Sequence, residues 1–136
     1  MISESLKSHL TIKGRINRTE FVAYLLIYYL LFLILALPLQ FAPGNVFIFA
    51  GYPILIIFNI LFVMLIIKRV HDYDESAWYA LYCLIPIVNL FVVFTPGNMH
   101  PNKFGETPQP PSLNLKLSIV ITIIFTIVLV NFYSNL

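Results

Sequence analysis

The residues between positions 68 and 75 form the densest group of ionisable side chains in the sequence: Lys68, Arg69, His71, Asp72, Asp74 and Glu75. Such side chains could pair as ions, hold an anion or ligate a metal. His71 could join His100 and a carboxylate around a metal ion, if the loops that carry them meet. Zinc sites, however, use three or four ligands at recognisable spacings, and no such spacing occurs. No metal or other cofactor is therefore expected.

A second group of charges precedes the first apolar segment and comprises Arg15, Arg18 and Glu20. We expect a structural cluster in which one of three arginines, Arg15, Arg18 or Arg69, pairs with Asp72 or Glu20. Alternatively, Arg15 and Arg18 act only as a topogenic signal, or they hold anionic lipid headgroups. A basic residue near an anionic surface contributes about 1 kcal/mol to such binding.

Signatures of enzymatic chemistry are missing from the sequence. It has no glycine-rich phosphate loop, no nucleophile elbow and no serine or cysteine beside a plausible base. Cys83 is the one cysteine of the chain and lies in an apolar segment, which indicates a packing role. We therefore expect a protein that is not an enzyme.

The composition indicates an all-α membrane protein. Of the 136 residues, 60% are hydrophobic and 10% are charged, whereas soluble domains carry about 25% charged residues. A soluble chain of this length could not keep so much apolar surface out of water. The net charge of +2 does not indicate a nucleic-acid partner.

Four apolar segments predict about four transmembrane helices in a single integral-membrane domain over residues 1–136: about 21–42, 46–67, 77–95 and 117–133. Asn17 with Glu20 three residues later is typical of a capping box at the start of the first helix. Residues 1–13 could form a short interfacial helix, since Ile2, Leu6 and Leu10 recur every four residues. The alternative is a loosely ordered leader.

The distribution of basic residues predicts the orientation. Six of the eight lie before the first segment or between the second and third, so the positive-inside rule places the N-terminus in the cytosol. If segment 77–95 crosses, Lys103 and Lys116 lie outside and the C-terminus lies in the cytosol. If the segment instead re-enters, hinged at Pro86–Asn89, all eight basic residues are cytosolic.

Three polar stretches, in this order and spacing, resemble a known family. They are Gly14-Arg15-Ile16-Asn17-Arg18-Thr19-Glu20-Phe21, then Lys68-Arg69-Val70-His71-Asp72 with Ser76-Ala77-Trp78, then Pro96-Gly97 with Asn102-Lys103-Phe104-Gly105 and Pro108. The resemblance is to the "domain of unknown function 805" family of small bacterial inner-membrane proteins and covers about residues 13–108. Departures include Tyr79, where a second tryptophan is common, His100-Pro101 inside the third stretch, and an extended last apolar segment. The resemblance implies a location in the bacterial inner membrane and no known activity.

The leading hypothesis is a non-enzymatic module that binds a partner protein or anionic membrane lipid through its juxtamembrane polar residues. The candidate binding residues are Arg15, Arg18, Glu20, Arg69, His71, Asp72, Trp78, Asn102 and Lys103. Trp78 would anchor the third segment at the interface. The alternative is a small oligomeric channel or transporter with Asn59 and Asn89 along its path, and a membrane-embedded metalloenzyme comes third. A homo-oligomer is compatible with either of the first two.

Overall fold

The computed structural model describes residues 11–135, whose regular elements are all helices, with no β-strand among them. Three of the described helices are long and apolar enough to cross a membrane: Arg18–Phe41, Gly44–His71 and Leu113–Ser134. They correspond to the first, second and fourth predicted segments. The predicted interfacial helix of Ile2, Leu6 and Leu10 lies outside the described residues.

Helix α1 comprises Arg18–Ala36 and starts at the predicted capping box. The Asn17 side chain accepts a hydrogen bond from the Glu20 backbone N–H, and Glu20 Oε2 accepts from the Asn17 backbone N–H, both at 2.9 Å. Two otherwise unpaired donors at the helix start are thereby satisfied. The helix tightens into a 3₁₀ turn, Leu37–Phe41, at Pro38, which has no N–H to continue the α-helical ladder.

Helix α2 comprises Tyr52–His71 and follows a short helical turn, Gly44–Val46, and a π-helical turn, Phe47–Gly51, without a break. Its end is fixed by Asp74, whose φ of 68° lies in the left-handed region. The backbone N–H groups of Asp74 and Glu75 donate back to the carbonyls of His71 and Val70 at 3.1 and 3.3 Å. This closure turns the chain sharply at the end of α2.

The third predicted segment consists of two short helices instead of one long one. A 3₁₀ helix, Ala77–Leu84, is followed by extended backbone at Ile85 and then by α3, Pro86–Phe94. The two helices contact each other, and the first also packs against α2. They have eight and nine residues, whereas a helix needs about 20 residues to span the hydrocarbon core. A single crossing helix over 77–95 is not confirmed.

Helix α4, Leu113–Ser134, starts where the Ser112 hydroxyl accepts a hydrogen bond from the Leu115 N–H at 3.2 Å. Helix α1 packs against both α2 and α4. Helices α1 and α4 run in the same direction, because Asn17 Nδ2 bonds the Gln109 carbonyl before α4, and Phe41 stacks on Tyr133 at the opposite ends. Helix α2 runs the other way.

Burial is concentrated at one end of the helices. The buried apolar cluster lies where α1 starts and α2 ends, and comprises Ile16, Phe21, Leu65, Ile66, Val70, Cys83 and Val92. Along the three candidate spans only 11%, 11% and 6% of the most apolar stretch is buried. Such extended apolar surface would be unfavourable in water and suits a lipid solvent. The apolar helices therefore fit an integral membrane protein.

Candidate functional site: a buried ion-pair cluster

The carboxylate of Asp72, just after α2, is the centre of the polar cluster. Its Oδ1 accepts hydrogen bonds from Arg15 Nε at 3.1 Å and Arg15 Nη2 at 3.0 Å, and its Oδ2 accepts one from Arg69 Nη1. The three side chains are only 1%, 0% and 3% exposed for Arg15, Arg69 and Asp72. The expected pairing of an arginine with Asp72 is thus present, and both Arg15 and Arg69 form it in a buried position.

Arg15 also ties the third polar stretch to the first two. Its Nη2 donates to the Asn98 carbonyl at 2.6 Å, and its Nη1 donates to the carbonyls of His100 and Gly105 at 2.8 and 3.3 Å. Together with the bonds to Asp72, these contacts use all five guanidinium N–H groups. Arg15 therefore holds the loop after α3 in place and has no N–H left for an external anion.

Arg69 ties α3 to the start of α1 in the same way. Its Nε donates to the Val92 carbonyl at 3.2 Å, its Nη1 donates to the Ile16 carbonyl at 3.3 Å, and its Nη2 donates to the Thr95 carbonyl. Its guanidinium also lies 4.8 Å from the centre of the Tyr73 ring. A buried arginine is tolerated here because carbonyls, a carboxylate and an aromatic face replace its hydration.

Tyr73 supports this arrangement at the same α3 carbonyl that Arg69 Nε bonds. Its hydroxyl donates to the Val92 carbonyl at 2.6 Å. Burial, the largest effect, raises the pKa of Tyr73 to about 12, and the positive charge of Arg69 opposes that rise. The phenol is therefore a neutral hydrogen-bond donor at physiological pH.

Gly97 lies directly against the Asp72 carboxylate. A β-carbon at this position would be 1.8 Å from Asp72 Oδ2 and 2.5 Å from its Cγ. The next residue, Asn98, donates its backbone N–H to the Asp72 carbonyl at 2.7 Å. Only a residue without a side chain lets the loop approach so closely.

The remaining residues of the third stretch pack around His71. The His71 ring stacks on the Phe104 ring at 3.8 Å with an interplanar angle of 6°, and its Nδ1 lies 3.3 Å from the Gly14 carbonyl. Asn102 Nδ2 donates to the His71 carbonyl at 2.8 Å, and Lys103 Nζ donates to the Asp74 carbonyl at 2.7 Å. In residues 11–135, no three His, Cys, Asp or Glu side chains are grouped closely enough to hold a metal ion.

Three of the predicted site residues have other surroundings. Arg18 is exposed, and its Nη1 lies 3.5 Å from the Phe94 carbonyl. Glu20 serves the capping box of α1. Trp78 is 76% exposed on the 3₁₀ helix and makes no hydrogen bond to the cluster.

All charges of the described residues lie at the cluster's end of the helices. They are Lys13, Arg15, Arg18, Glu20, Lys68, Arg69, Asp72, Asp74, Glu75, Lys103, Glu106 and Lys116. The opposite end, at 37–46 and 131–135, has none. Seven of the charges are positive and five negative, so this end has a net charge of +2. One end of the described helices is therefore charged and the other is not.

The arrangement favours a structural role for the cluster, which holds α2, α3, the start of α1 and the loop after α3 together. A carboxylate enclosed by two guanidinium groups at 3% exposure offers no accessible atom to a substrate. Sequence reasoning missed Gly97, Tyr73 and Phe104 as members of the cluster. The Pro96-Gly97 pair was the available signal, since a glycine can mark a close approach of the backbone.

Comparison with known proteins shows which family the chain resembles. The profile of the family "Protein of unknown function (DUF805)" matches residues 9–106. The "Inner membrane protein YhaH" of Escherichia coli (strain K12) is 32% identical over 116 residues, which cover 76% of this chain and 92% of the relative. The protein of the same name from Escherichia coli O157:H7 matches to the same extent. No solved structure matches the chain.

Proposed function

The chain belongs to the DUF805 family of proteins of unknown function, and we propose that it is a non-enzymatic inner-membrane module that binds anionic phospholipid headgroups at the cytosolic surface. The observation that carries this proposal is the gathering of the described charges, with their net positive charge, at one end of apolar helices. Cytosolic leaflets carry anionic lipids, which attract juxtamembrane basic residues.

In the proposed topology the chain crosses the membrane three times and has its N-terminus in the cytosol. The segment 77–94 enters and leaves on the cytosolic side. Its two helices are short, and the loop that follows it is bonded by Arg15 to the stretch that precedes α1. All eight basic residues are then cytosolic, as the positive-inside rule favours. The C-terminus lies on the opposite side, because α1 and α4 run in parallel.

The buried arginines and the exposed cations have different roles in this proposal. Arg15 and Arg69 donate their hydrogen bonds to acceptors within the protein and hold the buried cluster together. The residues that meet headgroups are the exposed cations around it: Lys13, Arg18, Lys103 and Lys116. Each contributes about 1 kcal/mol at most near an anionic surface, and this attraction is screened by salt.

The test is the association of spin-labelled phosphatidylglycerol and phosphatidylcholine with the reconstituted protein. We expect a larger motionally restricted fraction for phosphatidylglycerol at 0.1 M salt, and a smaller difference at 1 M salt. Replacing the four exposed cations with glutamine should remove most of the difference, whereas Asn45→Gln at the uncharged end should leave it intact. Equal fractions of the two lipids for the wild-type protein at 0.1 M salt would refute the proposal.

A solute path along Asn59 and Asn89 gains no support from the geometry. Asn59 Nδ2 donates to the Leu55 carbonyl of its own helix at 2.8 Å. Asn89 lies in the short helix α3, outside the three candidate spans of the described residues. The channel alternative stays a prediction, and solute flux into proteoliposomes would test it.

A further inference from the structure

Three adjoining pockets follow the seam between α1 and α2. The first lies at the charged end and has a volume of about 240 Å³. It shares Tyr28 with a second pocket of about 290 Å³. The second shares Phe32 and Leu55 with a third of about 180 Å³, near Gly51. Because neighbouring pockets share lining side chains, the three are here called the groove. Their combined volume lies within the range of small-molecule sites, roughly 300–1,000 Å³.

The pocket at the charged end, here called the head pocket, is cationic. Lys13 and Lys68 line it opposite one carboxylate, Glu20, and Arg15, whose N–H groups bond Asp72 and loop carbonyls, also borders it. Lys68 is only 8% exposed although it belongs to the last turn of α2. A cation at this depth is poorly screened by salt, unlike those at the surface. The head pocket therefore complements one negative charge at the end of an apolar groove.

The rest of the groove is apolar and lies at membrane depth. Its floor includes Phe32 and Phe58, whose rings meet edge to face at 5.5 Å. From Tyr28 to Leu39 the seam follows α1 and its 3₁₀ extension for eleven residues, or about 16 Å at 1.5 Å per residue. One leaflet of a bilayer contributes about half of a hydrocarbon core of roughly 30 Å. The apolar part thus matches the length of one acyl chain.

We propose that this groove binds a single anionic phospholipid, with its phosphate in the head pocket and one acyl chain along the apolar part. The inference rests on the proposed function, since it places the charged end at the cytosolic leaflet. It adds a defined site with a buried cation, Lys68, to general attraction by exposed cations. A lipid with a compensating positive headgroup charge fits the cationic pocket less well.

The experiment measures lipid that stays with the full-length protein. The protein is reconstituted in equal amounts of dioleoyl phosphatidylglycerol and dioleoyl phosphatidylcholine, extracted in detergent and gel-filtered in 0.5 M NaCl. Lipid per protein is then counted by mass spectrometry. We expect about one retained phosphatidylglycerol, at least tenfold over phosphatidylcholine. Lys68→Gln should reduce retained phosphatidylglycerol at least tenfold. Lys116→Gln, which removes an exposed cation at the same end, should reduce it less than about twofold, because 0.5 M NaCl screens the attraction of exposed cations.

A second variant keeps the test independent of the folding of Lys68→Gln. Leu55 is 46% exposed and lines the two apolar pockets, so Leu55→Trp fills the chain groove without touching the head pocket. It should reduce retention of dioleoyl phosphatidylglycerol severalfold and leave binding of the short-chain dihexanoyl lipid unchanged. Two results would refute the lipid site in the groove without affecting the proposed binding of headgroups by exposed cations. One is an equal loss of retained phosphatidylglycerol in Lys68→Gln and Lys116→Gln, and the other is complete loss of lipid from the wild-type protein in 0.5 M NaCl. Equal retention of both lipids, with no spin-label preference at 0.1 M salt, would overturn both proposals.

Discussion

Replacement of Gly97 with alanine is the sharpest perturbation of the polar cluster. The added β-carbon would lie 1.8 Å from Asp72 Oδ2, far inside van der Waals contact. Asp72 cannot give way easily, because it is 2% exposed and held by Arg15 and Arg69. The loop must therefore move off the carboxylate, and Arg15 then loses its bonds to the loop carbonyls.

The free-energy cost of Gly97→Ala follows from the contacts that the added β-carbon disrupts. Overpacking alone costs about 1–3 kcal/mol, and disrupting a buried ion pair costs about 3–5 kcal/mol. A loss of about 3 kcal/mol in loop docking increases the undocked fraction about 100-fold, since every 1.4 kcal/mol is a factor of ten.

Limited proteolysis of the 96–111 loop in nanodiscs measures this fraction. We expect Gly97→Ala to increase the cleavage rate about 100-fold under conditions where the loop docks and undocks faster than it is cut. The matched control is Gly44→Ala, because a β-carbon there meets nothing within 4 Å and alanine favours the first helical turn. Equal cleavage rates for the two variants would refute the reasoning.

Three further predictions concern the same cluster. Asp72→Asn should lower the free energy of unfolding by about 3–5 kcal/mol, because it leaves two buried guanidinium groups without their carboxylate. The control Asp74→Asn weakens only an exposed pair with Lys103 and should lower it by less than about 1 kcal/mol. Denaturant titration of the two variants measures both values. Tyr73→Phe should cost about 0.5–1.5 kcal/mol at neutral pH through the lost hydrogen bond to Val92, and an unchanged melting temperature would contradict this. Because the pKa of Tyr73 is raised to about 12, its contribution to stability should be constant below pH 10 and decline as the pH rises towards 12. Between pH 10 and 12 the melting temperature of Tyr73→Phe should therefore fall less steeply with pH than that of the wild-type protein.

The helices could be predicted because lipid as a solvent leaves few choices. Long apolar segments must form helices there to satisfy their own backbone groups, and the Asn17–Glu20 pair marked the start of α1 correctly. The start of α4 was placed four residues late, at 117, because the polar residues around Lys116 look like loop. Ser112 provides the cap that extends the helix to Leu113.

The path of the third segment could not be decided from the sequence. Pro86 indicated an interruption, but a kinked crossing and a hairpin present the same apolar pattern. Tertiary hydrogen bonds distinguish the two paths in the structure: Arg69 donates to the carbonyls of Val92 and Thr95, and Arg15 donates to that of Asn98. Backbone carbonyls exist at every position, so such acceptors leave no mark in the sequence.

The site could be predicted only in part, since the residue types indicate ion pairs but not how deeply they are buried. Opposite charges at 15, 69 and 72 suggested ion pairs from residue type alone, and two of those pairs form. Their complete burial and the use of every Arg15 N–H could not be predicted, because both depend on how the 96–111 loop packs. The binding roles assigned to the candidate residues stay predictions.

The most direct test of the proposed topology is the accessibility of single cysteines from outside the inner membrane. In a Cys83→Ala background, one cysteine replaces Met99, which is 83% exposed, and in a second variant one replaces Asn135 beyond α4. Cells with a permeabilised outer membrane are treated with a membrane-impermeant maleimide before and after lysis. The proposed topology predicts that position 135 is labelled before lysis and position 99 only afterwards. Labelling of position 99 before lysis would place the 96–111 loop outside and contradict a single cytosolic cluster.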